Sequence, residues 1–190
     1  MQKQSDASNL QEFVKTYQSN YNLHERWNKK CSFEEAVFGA KPDKTDPHQK
    51  YFPKVRLHEI ANLLAKQWNS SAFNDFEDLY DYVCSILYKS KTNPDGNIKT
   101  PNSLIFYDIA LRLSAQYNVW PEKYVYLNGN GPSDGAKALG LEKFKYKNKR
   151  IAYSVITAQY PDLADLDAAE IEDFLCVCKK ELFILKNNKS

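Results

Sequence analysis

The 190-residue sequence predicts an all-α fold, a single-domain helical bundle, on three observations. Apolar residues recur at helical spacing in one stretch after another. No stretch of useful length alternates apolar and polar residues as a half-buried strand would. Capping residues, prolines and glycines stand at the ends of the periodic stretches, where helices start and stop. Together these give about eight helices in one domain spanning 1–190, with the polar segment 1–9 disordered.

The elements follow in order. Leu10, Phe13, Val14, Tyr17 and Tyr21 mark a first helix over 9–21. Ser32 and Glu35 form a capping box, because each side chain can bond the other's backbone amide; the short helix it starts stops at Gly39. Pro42, Pro47 and Pro53 exclude a regular helix from the loop 41–54, and a loop that long is often functional. Leu57, Ile60, Ala61, Leu64 and Trp68 stripe a helix over 55–69. Another runs over 74–89 with Asn74 as its N-cap, and residues 93–96 are a turn. Thr100 and Pro101 open a helix over 102–118. A short segment, 121–127, leads to a tight hairpin at 129–131 and a helix over 132–139 closed by Gly140. A helix over 148–159 ends before Pro161, and Asp167 caps the last long helix, 168–186.

Composition narrows the function classes. The net charge of +2 does not by itself mark a nucleic-acid binder. Charge is separated along the chain, however: acidic residues gather in 74–81 and 162–173, basic ones in 41–56 and 143–150. Tyrosines, 13 of them, suit wet clefts and interfaces as well as a core. The four cysteines, Cys31, Cys84, Cys176 and Cys178, include no C-x-x-C pair, so neither a disulfide framework nor a zinc finger is expected. Reduced thiols, a polar N-terminus and no apolar run near ~20 residues lead to the expectation of a cytoplasmic protein without a membrane partner. Three scattered histidines give no metal-ligand spacing, and no metal or cofactor is expected.

The most informative stretch is 127–138, Leu-Asn-Gly-Asn-Gly-Pro-Ser-Asp-Gly-Ala-Lys-Ala. Two glycines around one residue let the backbone turn and approach a partner, and amides at the start of the following helix favour an anion such as phosphate. This stretch resembles the helix-hairpin-helix motif of base-excision DNA glycosylases, Leu-Pro-Gly-hydrophobic-Gly-Pro-Lys-Thr-Ala. Leu127, Gly129, Gly131 and Pro132 match, and Gly135 holds the small-residue position. Asn128 and Asn130 replace the usual Pro and hydrophobic residue. Ser133 stands where lyase-type members carry their Schiff-base lysine, so the resemblance implies a monofunctional enzyme with water as nucleophile.

Over most of the chain the pattern is similar to a group of small bacterial helix-hairpin-helix proteins. The matching residues are His48-Gln49, Tyr107 to Arg112, Tyr126 to Gly140 and Glu170 to Cys176, while Thr100-Pro101-Asn102 replaces that group's Gly-Ile-Gly turn. The resemblance implies an antiviral branch of the superfamily that excises modified bases from phage DNA.

On this reading a monomer binds duplex DNA through Gly129, Asn130, Gly131, Ser133 and Lys137. Lys143, Lys145, Lys147 and Arg150 add electrostatic attraction, and the rings between them can stack on splayed bases. His48, Gln49 and Tyr107 are the candidates for base recognition. Asp108 is the candidate catalytic carboxylate, able to stabilise positive charge on the sugar or orient water. In the glycosylases the aspartate follows the hairpin and its arginine lies one residue farther on, so Asp162 and Asp165 are positional alternatives. Asp108 and Arg112 also read as a simple surface pair at i, i+4. Two rival functions remain: a non-enzymatic DNA-binding module using the same hairpin, and a helical protein-interaction domain contacting partners through 162–173.

Overall fold

The periodic stretches fold as helices, and the protein is mostly helical. A computed structural model describes residues 2–27, 30–39, 52–89, 103–145 and 149–187, of which 2–9, 26–27, 88–89 and 103 are described as backbone. In chain order the helices are α1 (Gln2–Asn20), α2 (Leu23–Trp27), α3 (Phe33–Phe38), α4 (Lys54–Gln67), α5 (Phe76–Lys89), α6 (Ser103–Tyr117), α7 (Asn130–Ala138), α8 (Tyr153–Gln159), α9 (Ala168–Val177) and α10 (Lys179–Asn187). Two 3₁₀ turns, Leu141–Phe144 and Pro161–Asp165, follow α7 and α8.

The chain divides into two compact units. One joins Met1–His24 to Pro121–Ser190, and the other is Glu25–Trp120.

In the Glu25–Trp120 unit, α6 is the centre. Residues 105–114 are all buried, so α3 and α5 pack against a helix with no solvent face in that span. Trp68, just past α4, stacks or edges against Phe33, Phe73, Tyr82 and Tyr117 and closes the 68–75 connection. The N-cap of α5 is Asp75, whose carboxylate accepts from the Asp78 amide at 2.9 Å. Asn74, the expected cap, instead bonds the Asp78 carboxylate through its side-chain amide at 2.7 Å. Asn118 ends α6 with φ 53°, a left-handed conformation that asparagine tolerates. Loop residues 40–51, and with them His48 and Gln49, lie outside the described residues, as do Thr100 and Pro101.

In the other unit, two short strands accompany the helices. β1 (Tyr124–Tyr126) pairs antiparallel with β2 (Arg150–Ala152), Val125 opposite Ile151. Both of these are fully buried. β2 occupies the start of the expected helix 148–159, because β-branched and aromatic residues pair well on a half-buried ribbon. The last helix breaks at Cys178 into α9 and α10. The core is built from α1, α9 and α10 with the ribbon, around residues such as Tyr17, Phe174, Leu175 and Leu182.

The expected capping box on α3 is formed: the Ser32 hydroxyl accepts from the Glu35 amide at 3.2 Å, and the Glu35 carboxylate accepts from the Ser32 amide at 2.8 Å. Those bonds to Ser32 hold the Glu35 carboxyl below its ordinary pKa. Ser32→Ala is expected to lower stability by about 1 kcal/mol in urea denaturation. A carboxyl whose pKa falls on folding stabilises above its unfolded value, and the benefit disappears as pH falls through the folded value. The difference between wild type and Glu35→Gln is therefore expected to close in acid, and to be small throughout because Glu35 is nearly fully solvated.

Candidate nucleic-acid interface

The hairpin residues do not form a free-standing turn. Gly129 is the N-cap of α7 in extended conformation (φ −103°, ψ 167°), so Asn130 and Gly131 already belong to the helix. This corrects the expected hairpin at 129–131 and helix start at 132. Pro132 is then in the first turn, where its missing N–H costs nothing.

The glycines have a packing role. A Cβ built on Gly131 would collide with Cys176 Sγ and lie 3.3 Å from Cys176 Cβ. One built on Gly135 would sit 2.7 Å from the carbonyl carbon of Leu175 and 2.9 Å from its Cα. Residues i and i+4 share a helix face, so the two glycines form one groove in which the backbone of α9 lies. Ala136, fully buried, widens that small-residue face.

Among the described residues no side chain caps the N-terminus of α7, and Asn130 is exposed. The amides of Asn130 and Gly131 have no intrahelical acceptor by the geometry of any helix start, and the helix dipole adds about half a positive charge there. The Ser133 hydroxyl is used locally: it donates to the Leu127 carbonyl at 3.1 Å and pins the chain entering the helix.

The basic residues divide between the two ends of α7. Lys137 is exposed in the last turn, about 10 Å of helix rise from Asn130. There it complements the negative end of the dipole. Lys143, on the 3₁₀ turn beyond that same end, and Lys145, just after it, are both exposed, and the Lys143 ammonium lies 4.9 Å from the Phe144 ring centre. Lys147 lies outside the described residues.

Lys149 and Arg150 return to the other end. The Leu127 amide donates to the Lys149 carbonyl at 2.6 Å, and Tyr126 pairs with Arg150 across the ribbon. Both cations therefore stand beside the chain that leads into α7. Lys149 is exposed with φ 52°, a left-handed conformation that costs a lysine roughly 1–2 kcal/mol. Arg150 is held by the face of Tyr124 at 4.3 Å and by the Tyr126 hydroxyl, to which it donates at 3.5 Å. The sequence reading included Lys149 only as part of a charge run. The signal that singles it out, a strained backbone bonded to the helix start, exists only in three dimensions.

The catalytic candidates are placed differently. Asp108 and Tyr107 lie on α6, in the Glu25–Trp120 unit, with 5% and 1% exposure. Tyr107 packs edge-on against Phe76. Arg112 is 4% exposed and donates to the Ala36 carbonyl at 2.8 Å, fastening α3 to α6. The reading of Asp108 and Arg112 as a surface pair is thus overturned by burial of both. Asp162 and Asp165 lie on the 3₁₀ turn before α9, in the hairpin's own unit, and the Asp165 carbonyl accepts from Gln18 at 3.1 Å.

All four cysteines are free thiols. Burial pushes Cys84 and Cys178 up to about 11, which keeps both protonated and poorly nucleophilic at neutral pH. No helix among the described residues is long and apolar enough to cross a membrane. No family model, curated protein or solved structure matches the chain significantly.

The close contact of α7 with α9 predicts a specific pattern of stability. Gly131→Ala is expected to cost about 1–3 kcal/mol by overpacking, and Cys176→Ala is expected to restore much of that loss by removing the colliding sulfur. Gly135→Ala meets backbone and should have no such rescue. Thermal or urea unfolding of the single and double variants measures both effects.

Proposed function

We propose that the unit containing α7 is a nucleic-acid-binding module that grips a phosphate of duplex DNA at the N-terminus of α7. The observation that carries the reading is the juxtaposition of three features: the start of α7 without a side-chain cap among the described residues, and, beside the chain that leads into it, the exposed Lys149 and the braced Arg150. Each is suited to an anion, and together they offer directional N–H donors flanked by two full positive charges. The strained conformation of Lys149 adds support, because such strain concentrates where a residue has a task beyond folding. Lys137, Lys143 and Lys145, at the far end of α7, contribute to the general field and not to this grip.

The same arrangement serves the sequence resemblance, in which a glycine-rich helix start holds the DNA backbone. Excision of a modified base is the further activity the resemblance implies. It depends on a carboxylate reaching the sugar, and Asp108, enclosed in α6, is less suited to that than to a structural place. Binding is the half of the reading that the geometry supports best, and it favours the module over the enzyme.

Lys149→Gly separates binding from folding. It relieves the left-handed strain, so stability is expected to rise by about 1 kcal/mol. Affinity for a fluorescein-labelled duplex should nevertheless fall, with the slope of log K against log salt shallower by about 1. Asn130→Asp is expected to act in the same sense, stabilising the helix start while repelling phosphate. Anisotropy titrations at several salt concentrations read both variants. Wild-type protein that fails to bind duplex DNA even at low salt would contradict the proposal.

A further inference from the structure

Residues far apart in sequence meet at the N-terminus of α9. His24, at the start of α2, brings Nε2 within 2.5 Å of Asp167 Oδ2, and a carboxylate oxygen of Glu170 completes a set whose ligand atoms all lie within 4.8 Å of one another. The two carboxylates are oriented by the capping box of α9. Asp167 Oδ1 accepts from the Glu170 amide at 2.8 Å, and Glu170 Oε2 accepts from the Asp167 amide at 2.9 Å. The capping box thus takes Asp167 Oδ1 and Glu170 Oε2, and Asp167 Oδ2 is the oxygen that meets His24. We propose that His24, Asp167 and Glu170 form a binding site for a divalent first-row transition ion of the zinc type, with water completing its shell.

The chemistry of the set fits such an ion. One imidazole nitrogen and two carboxylate oxygens are borderline-to-hard donors, which suit zinc, cobalt or manganese and do not select calcium. Around an ion with bonds of 2.0–2.2 Å, neighbouring donor atoms stand roughly 3–3.5 Å apart. The 2.5 Å separation must widen slightly and the 4.8 Å span must contract. Rotation of accessible side chains does this, since His24 and Asp167 are 44% and 28% exposed. The ion takes the place of the direct contact between His24 and Asp167.

Electrostatics agree with the geometry. The helix start carries about half a positive charge, which two carboxylates outweigh. The negative field extends beyond the set. Burial first, and then Asp173, Glu170 and Asp167, raise the Tyr17 hydroxyl above its ordinary range; burial, with Asp167, Asp165 and Glu170, does the same for Tyr153. A bound cation would fasten the segment at His24 to α9, both within the Met1–His24 and Pro121–Ser190 unit. Sequence spacing cannot reveal this set, because His24 and Asp167 are 143 positions apart.

Titration of the full chain with Co²⁺ tests the site, since cobalt reports its ligands in its spectrum. One equivalent should bind with a visible spectrum of nitrogen and oxygen ligation and no thiolate charge-transfer band in the near ultraviolet. Zn²⁺ should displace it and raise the melting temperature. His24→Ala should weaken binding by about tenfold or more. Glu170→Gln, which keeps an acceptor for the Asp167 amide and so preserves the cap, should weaken it comparably. Absence of binding, a thiolate band that assigns the ion to the cysteines, or unchanged affinity in both variants would overturn the proposal.

Discussion

The unit built from the two ends of the chain depends on a place where side chains are missing. Gly131 and Gly135, one turn apart on α7, let that helix lie against the Leu175–Cys176 backbone of α9 at a distance no larger residue allows. The contact fixes the axis of α7 and seats its first turn, through Gly131, on Cys176. It also sets where Leu127 leaves the ribbon and therefore where Lys149, bonded to it, must stand. The placing of the uncapped helix start beside the chain that carries the two cations is a consequence of that packing.

The same constraint reassigns residues whose types suggest chemistry. A glycine in a motif of this kind reads equally as a phosphate cradle or as a packing surface, and here Gly131 and Gly135 serve packing. The Ser133 hydroxyl secures the helix start, and Lys137 complements its end. Arg112 bonds α3 from within the other unit. Polar residues within one motif thus divide by local geometry into those that build the scaffold and those that remain available.

Much of the fold was legible in the sequence because helix periodicity and capping are local. The box at Ser32–Glu35 requires only residues three apart and formed as read, and Asp167 caps α9 as expected, with Glu170 completing a second box there. The ribbon was missed because three-residue strands such as Tyr124–Tyr126 are too short to show alternation, and their pairing partner lies beyond an intervening helix. The break at Cys178 carries no proline or glycine to announce it. At the candidate interface, the sequence offers no way to tell the lysines apart: Lys143 and Lys145 are as basic as Lys149, and only the bond from Leu127 distinguishes their positions. The clustering of His24 with the α9 cap was invisible for the same reason, as a contact between distant positions leaves no spacing to read.

Amide hydrogen exchange of the region from Leu127 to Ala138, followed with and without a short duplex DNA, tests the central claim most directly. The account predicts rapid exchange at Asn130 and Gly131 in the free protein, slowed on adding DNA, with the later amides of α7 protected in both states by the contact with α9. Amides at Asn130 and Gly131 that are already protected in the free protein, or that exchange at the same rate whether or not DNA is present, would contradict it.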